Sequence, residues 1–276
     1  MLRRLTILGV ILACAVPFWY MALLSVRSIQ DLLLDPGRLW VDVREVSLEA
    51  YRQVLTSTAD GGQGFVSFLG NSLLVSLITV AGALLVAIPG AYAVSRVAFR
   101  GRRQVSALFL VVYLFPPLIM AIPLFVLFSR IGLRDSLIGL AIVYVAQTVP
   151  VAVYMLRGYF ETIPVSLEEA AVLDGCSRLG VVRRVSLPLA MPSVMATGLY
   201  VFMIAWNEFL FALLFLVEDR GLWTISLGLS QLAGSIEVPT TVLMAGSVVV
   251  TIPIVVLFFA TERLLVEGLT AGAEKG

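Results

Sequence analysis

The sequence predicts an all-α membrane protein in which a single transmembrane domain, residues 1–276, crosses the bilayer six times. Of its 276 residues, 60% are hydrophobic and 13% are charged, whereas soluble domains carry about 25% charged residues. This composition argues against a soluble enzyme and excludes an intrinsically disordered chain. Six apolar runs reach the roughly 20 residues that a helix needs to cross the hydrocarbon core. They are residues 5–26, 69–94, 105–128, 137–156, 193–217 and 241–260.

The first run begins like a cleaved signal, because Arg3 and Arg4 precede an apolar stretch. The run continues through Val26, which is long enough to span, so we expect an uncleaved first helix. With the N-terminus inside, twelve of the nineteen arginine and lysine residues lie in the inside segments. The clearest inside segment is the loop at 95–104, with four arginines and no acidic residue. The positive-inside rule therefore predicts that both termini lie in the cytoplasm.

The second and third apolar runs contain residues that affect how helices pack. The second run has alanines at four-residue spacing, which let two helix backbones approach closely; they are Ala83, Ala87 and Ala91. The third run contains prolines, which remove backbone donors and kink a helix; they are Pro116, Pro117 and Pro123. Two interpretations of the kinked third helix stay open, a packed bundle helix and a helix that lines a path.

Residue counts exclude several kinds of catalytic site. The chain has no histidine, which removes histidine-based zinc sites and Ser-His triads. The one lysine, Lys275, is followed only by Gly276, so the chain has no Walker phosphate loop. Cys14 and Cys176 have no metal-ligand spacing, and a net charge of +1 indicates no nucleic-acid partner. We therefore expect no catalytic residue, no metal site and no cofactor bound by this chain.

The inside segment at 158–192 predicts a helix–turn–helix. Ser166 and Glu169 have the spacing of a capping box, and Gly175 suits the residue that follows a helix. Residues at i, i+3, i+4 and i+7 share one face of the first helix; they are Leu167, Ala170, Ala171 and Asp174. A second short helix is predicted to begin at Ser177 and to end near Leu187-Pro188. The pattern alone leaves two roles open, a docking surface for a partner protein and a connector that rests on lipid headgroups.

The same segment resembles the EAA loop of ABC importer permeases. Residues 169–171 read Glu-Ala-Ala, Gly175 follows after three residues, and Val185-Ser186-Leu187-Pro188 follows after nine more. Val185 replaces the isoleucine of the family pattern. The resemblance implies a type I importer permease fold, in which this loop is the coupling helix that docks on a separate ATPase. The implied ATPase-coupling residues are Leu167, Glu169, Ala170, Ala171, Asp174, Gly175, Leu187 and Pro188.

Further stretches are similar to the sugar-importing branch of that family, of the maltose and trehalose type. They include Ala-Trp-Asn-Glu at 205–208, Asn-Ser-Leu at 71–73 and a C-terminal tail at 267–276. The resemblance implies that the tail reaches toward the ATPase, with Thr270, Gly272 and Lys275 in the matching part. The predicted number of six spans fits the shorter of the two permease subunits in such importers. The sugar stays open, and glycerol-phosphate importers have similar permeases.

The resemblance also implies a location, the cytoplasmic (inner) membrane of a bacterium or archaeon, and a set of partners. The partners are a second permease subunit that forms a heterodimer with this chain, an ATPase dimer that holds ATP and Mg, and an extracytoplasmic sugar-binding protein. The binding protein would deliver a carbohydrate to the outside face, residues 27–68 and 218–240. ATP hydrolysis on the partner would drive alternating access, and this chain would be a non-catalytic permease.

Glu208 is the one carboxylate well inside a predicted span. A charge within the bilayer is costly, so its carboxylate is expected to face the bundle or water. Three roles stay open: a group on the translocation path together with Asn207, a hydrogen-bonded cluster with Asn207 that fixes helix packing, and a position at the membrane interface. An ion-coupled secondary transporter is a less favoured alternative function, because such carriers place several ionisable residues near the midplane.

Overall fold

A computed structural model describes residues 2–273 of the chain, and the surroundings of side chains for residues 3–262. The described part is all α-helical and contains no strand. Its helices are α1 Leu2–Ser25, α2 Ile29–Leu34, α3 Glu49–Leu55, α4 Phe65–Arg96, α5 Arg102–Leu114, α6 Pro117–Arg130, α7 Leu137–Thr162, α8 Val165–Leu173, α9 Arg178–Val181, α10 Leu187–Asn207, α11 Leu210–Leu216, α12 Ile225–Gly234 and α13 Thr240–Ala273.

Among the described residues, five helical stretches are long and apolar enough to cross a membrane. They are Arg3–Ser25, Phe65–Arg96, Leu137–Thr162, Arg178–Asn207 and Thr240–Glu262. The pair α5 and α6 makes a sixth span if its two helices are counted together. Counted in this way, the apolar helical stretches overlap the six predicted spans, but the third and fifth predicted spans are not continuous helices.

The third span is broken rather than kinked. Its two helices meet at an angle of 91°, and Phe115 and Pro116 between them are extended. A proline disfavours helical geometry at the residue before it, which applies to both Phe115 and Pro116. Pro117 in turn suits the first turn of the next helix. Pro123 lies inside α6. The prediction of a single kinked helix over 105–128 is therefore wrong, because two adjacent prolines end one helix and begin another.

The fifth span begins earlier and is interrupted. Its helix α10 already begins at Leu187 and ends at Asn207, before α11 begins at Leu210. Glu208 between them has extended backbone angles, φ −66° and ψ 131°. The predicted continuous helix over 193–217 is therefore wrong, and the interruption falls at its one carboxylate.

The chain divides into two compact units, each described by itself. The first comprises the described residues up to Asn71 together with Arg220–Val255, and the second comprises Ser72–Asp219 together with the described residues from Val256. In the first unit, the buried Arg27 donates to the carbonyl oxygens of Asp31 and Asp35, at 2.8 and 2.7 Å. These bonds fold the segment that follows α1.

The core of the second unit is built from small residues of α4. Ala83, Ala87 and Ala91 are all fully buried, and they pack with residues of α7 and α10. A Cβ added at Gly82 would lie 2.9 Å from a methyl group of Val145 on α7. The predicted close approach of helix backbones is therefore confirmed, with α7 as the neighbour of α4.

Candidate functional site

The candidate site is the segment from α8 to the start of α10, in the second unit. The helix α8 begins at Val165, directly after Pro164, and among the described side chains none caps its first turn. Proline has a fixed φ and no N–H, so the chain can enter the helix immediately after it. Ser166 lies inside the first turn instead of before it. The predicted capping box of Ser166 and Glu169 is therefore wrong.

The end of α8 is a Schellman motif. Gly175 has a φ of +85°. Its N–H donates to Val172 O at 3.0 Å, and the N–H of Cys176 donates to Ala171 O at 3.0 Å. These are the two bonds that satisfy the last carbonyl groups of a helix, and glycine takes the left-handed conformation without a Cβ penalty. The predicted helix end at Gly175 is confirmed.

The second short helix begins as predicted but does not end as predicted. Ser177 caps α9, since its Oγ accepts from the N–H of Gly180 at 3.2 Å. A π turn, Val182–Ser186, then leads straight into α10, with the N–H of Leu187 bonded to Val182 O. The wider turn accommodates Pro188, which has no N–H to donate. The predicted end near Leu187-Pro188 is therefore wrong, and α9 is continuous with the fifth span.

The predicted shared face of α8 exists, although one of its members is buried. Leu167, Ala170, Ala171 and Asp174 line one hollow of about 410 Å³ together with Pro188. Leu167, Ala170 and Asp174 are exposed, whereas Ala171 is buried. The exposed part of this face is therefore smaller than the sequence predicts.

The other predicted coupling residues are distributed around the same segment. Glu169 is exposed and lines a second hollow of about 910 Å³, on the other flank of α8. Leu187 is half-buried against the core of the second unit. The structure thus brings the predicted coupling residues into one segment, but only some of them are available to a partner.

Sequence reasoning missed the buried Glu168. Its Oε1 accepts from Arg96 Nε at 3.2 Å and from Ser186 Oγ at 2.9 Å, while its Oε2 accepts from the hydroxyl of Tyr92 at 3.3 Å. Arg96 also donates to Ile163 O. The side chains of Arg96 and Glu168 each keep 11% of their exposure. The sequence carried no signal for this burial, because Ala171, three positions further along the same side of the helix, was itself expected on the exposed face.

Some arginines of the loop at 95–104 form hydrogen bonds to the protein itself. Arg102 donates to the carbonyl oxygens of Val94 and Ser95 at the end of α4. A cation at a helix C-terminus is favourable because the last carbonyl groups carry partial negative charge. Arg96 and Arg102 therefore hold the end of α4, in addition to any effect on membrane orientation.

Glu208 lies at the interruption of the fifth span. Its carboxylate accepts from the backbone N–H groups of Phe211 and Ala212, at 3.0 and 3.3 Å, and from the hydroxyl of Tyr144. Asn207 is exposed, and its amide donates to Met203 O at 2.8 Å within α10. Glu208 therefore begins α11 and ties it to α7, while Asn207 turns to the surface.

The predicted tail residues are at the edge of what the structure describes. The backbone of α13 is helical through Ala273. The surroundings of Thr270 and Gly272, and Lys275 altogether, lie outside what the structure describes, so their predicted reach toward an ATPase stays a prediction.

Residues 79–269 match the family described as the binding-protein-dependent transport system inner membrane component. The chain belongs to this family. The match covers well over half of the sequence and contains the whole candidate site. The family predicted from the EAA loop is therefore confirmed. It is a family of multi-pass permeases of the inner membrane, and the permease subunits of such transporters are generally non-catalytic.

Individual relatives agree with the family over nearly the whole chain. The inner membrane ABC transporter permease protein YcjP of Escherichia coli is 37% identical over 261 residues, covering 94% of this chain and 91% of the relative. The trehalose/maltose transport system permease protein MalG of Thermococcus litoralis is 35% identical over 278 residues, covering 99% of this chain and 97% of the relative.

The fold is also similar to a solved structure. A chain of a bacterial ABC transporter involved in import of the acidic polysaccharide alginate superposes with a TM-score of 0.77 and 24% identity, over 95% of both chains. The predicted all-α importer permease fold is therefore confirmed.

Proposed function

We propose that this chain is the permease subunit of an ATP-driven importer that moves a carbohydrate across the cytoplasmic membrane by alternating access. The supporting observation is its near full-length similarity to MalG, combined with an EAA segment that folds as the exposed helix α8. A trehalose permease of Mycobacterium tuberculosis, SugB, is also 36% identical over 92% of this chain. A disaccharide or oligosaccharide is the substrate class that these relatives favour.

The proposal includes partners that the family implies. A binding protein delivers the carbohydrate on the outside, a second permease completes the pathway as a heterodimer, and an ATPase dimer with ATP and Mg binds α8 on the cytoplasmic side. In this arrangement both termini are cytoplasmic. This chain binds no cofactor and catalyses no reaction. Exposed residues of α8 carry the ATPase contact: Leu167, Glu169, Ala170 and Asp174.

The geometry of the site suits a mechanical role. The helix α8 ends at a tight Schellman turn, and α9 continues through the π turn into α10 without a loop. A push on α8 is therefore passed to a membrane span through one tight turn and the continuous helical backbone that follows it. Closure of the ATPase dimer would move α8, and the fifth span would follow.

The test is transport by the assembled importer in proteoliposomes. The chain is reconstituted with its second permease, ATPase and binding protein, and the uptake of labelled trehalose, maltose and glycerol 3-phosphate is measured with ATP or a non-hydrolysable analogue. We expect uptake of a carbohydrate that requires ATP, the ATPase and the binding protein. Uptake by the chain alone, driven by an ion gradient, would contradict the proposal, and uptake of glycerol 3-phosphate alone would move the substrate to the alternative class.

A further inference from the structure

The carboxylate of Glu168 lies where four separate parts of the second unit meet. Tyr92 and Arg96 come from the last turns of α4, and Ser186 is the last residue of the π turn before α10. Arg96 extends the connection to Ile163 O, directly after α7. The side-chain bonds of Glu168 therefore reach the ends of two long helices directly, α4 and α10, and the end of a third, α7, through Arg96.

Apart from Glu168, the helix α8 buries little of itself against the rest of the second unit. Within this fully described helix, Glu168 and Ala171 are the buried residues. The remaining side chains face outward, and Leu173 at the last turn is 89% exposed. Val165, Leu167 and Val172 stay 51%, 45% and 55% exposed, so each buries only part of its apolar area. The polar cluster therefore adds to the contacts of α8 with α9 and the π turn in holding the helix in place.

The cluster is built for a fixed geometry. The ring of Tyr92 packs edge-on against Phe160 of α7, with centroids 5.8 Å apart, which fixes the direction of its hydroxyl group. Arg96 donates through two different nitrogen atoms, one to Glu168 and one to Ile163 O. Charge-assisted bonds in a site of low exposure are stronger than their equivalents in water. A displacement of α8 would have to break these bonds or carry the attached helix ends with it.

We propose that Glu168 is the positioning residue that joins α8 to α4 and α10, so that a displacement imposed on α8 reaches the second and fifth spans together. This inference rests on the proposed function, because the displacement comes from the partner ATPase. Glu168 touches neither the ATPase nor the carbohydrate. It acts by making α8 and the two helix ends one mechanical body.

The experiment uses the fully assembled importer in proteoliposomes and measures complex yield, ATP hydrolysis and carbohydrate molecules moved per ATP. The variants are Glu168→Gln, Arg96→Gln and the double variant. The matched control is Glu161→Gln, which removes an exposed ion pair with Arg157 at 2.8 Å on α7 and a weaker one with Arg102 at 4.0 Å, and leaves the bonds of Arg102 to the end of α4 in place. If Glu168 only stabilised the fold, its substitution would lower the yield of the complex. If Glu168 joins α8 to α4 and α10, its substitution changes the carbohydrate moved per ATP while the yield of the complex stays normal.

We expect Glu168→Gln to assemble and hydrolyse ATP but to lower carbohydrate moved per ATP on the order of tenfold, a usual size of coupling between sites. Arg96→Gln should have a similar effect. The double variant should recover much of the loss, because it leaves no unpaired buried cation and two amides can bond to each other. Glu161→Gln should match the native chain.

Two results would overturn the inference: native transport per ATP in Glu168→Gln, and a double variant that is no better than the product of its singles. If Glu168→Gln does not accumulate, Tyr92→Phe removes one bond of the cluster without burying an unpaired charge. Unchanged transport per ATP in Tyr92→Phe would then overturn the inference. Failure of the native importer to take up carbohydrate would instead remove the proposed function itself, and with it the source of the displacement.

Discussion

Two buried or half-buried glutamates of the second unit serve different structural purposes. Glu168 accepts bonds from side chains that lie 72 and 76 residues earlier and 18 residues later in the chain. Glu208 accepts from backbone N–H groups three and four residues ahead of it, and from one hydroxyl of α7. The first joins several distant segments, whereas the second mainly completes the helix that begins beside it.

The difference shows how one residue type produces either stiffness between elements or local order. A carboxylate with a cation and two hydroxyl donors from other elements makes those elements move together. A carboxylate at an interrupted helix supplies the acceptor that the first N–H groups of the next helix need. Substitutions at Glu208 should therefore lower mainly the stability of the chain, whereas substitutions at Glu168 should lower mainly the carbohydrate moved per ATP.

The largest loss of stability is expected for Glu208→Ala. The change leaves the N–H groups of Phe211 and Ala212 without their acceptor, which costs about 1–3 kcal/mol for each buried group. Thermal unfolding in detergent should show a clear decrease in midpoint. Glu208→Gln is the control, because it keeps one acceptor oxygen and should lose less. A Glu208→Ala chain with native stability and no transport would instead favour a place on the translocation path.

A smaller loss is expected for Gly175→Leu. Leucine in the left-handed conformation costs about 1–2 kcal/mol, although nothing lies within 4 Å of a Cβ at this position. The chain should insert normally while ATP hydrolysis becomes uncoupled from uptake, because the Schellman turn sets the direction of α8. Gly175→Asn should be tolerated better, since asparagine visits this conformation. Native uptake by Gly175→Leu would disprove the role of the turn.

Glu169→Lys should leave the stability of the chain nearly unchanged, within about 0.5 kcal/mol, because Glu169 is exposed. It should weaken docking of the ATPase by reversing the charge at the proposed contact. Co-purification of the ATPase with the permease pair measures this effect. Glu169 is next to the buried Glu168 in the chain. Substitutions at Glu169 therefore test docking of the ATPase, and substitutions at Glu168 test transmission of movement from α8 to the spans. An unaltered complex yield with native coupling would count against the docking assignment.

The smallest structural effect is expected for Asn207→Ala. The amide bonds to a carbonyl of its own helix and is exposed, so its removal should change stability by no more than about 0.5 kcal/mol. If Asn207 lines the translocation path, uptake should fall while yield and unfolding temperature stay native. Native uptake in this variant would remove Asn207 from the path and leave the interruption at Glu208 as a packing feature.

Local patterns in the sequence predicted much of the fold. Apolar runs located the spans, small residues on α4 located its contact with α7, and Gly175 located the end of α8. These features depend on residues close together in the chain. The break at Phe115-Pro116 and the π turn before Pro188 were missed because proline predicts a disturbance but not its geometry. The pairing of Glu168 with Arg96 was missed because no local pattern reports a contact across 72 residues.

The proposed role of Glu168 is to make α8 and α4 move as one body. Its most direct test is a distance measurement by pulsed electron paramagnetic resonance in the assembled importer, with Cys14→Ser and Cys176→Ser. Spin labels at Leu173→Cys on α8 and Leu85→Cys on α4 occupy exposed positions. We expect one narrow distance distribution that is the same with and without a non-hydrolysable ATP analogue, and a broad or shifted one in Glu168→Gln. A native distribution that shifts with nucleotide, or one that Glu168→Gln leaves unchanged, would contradict the claim.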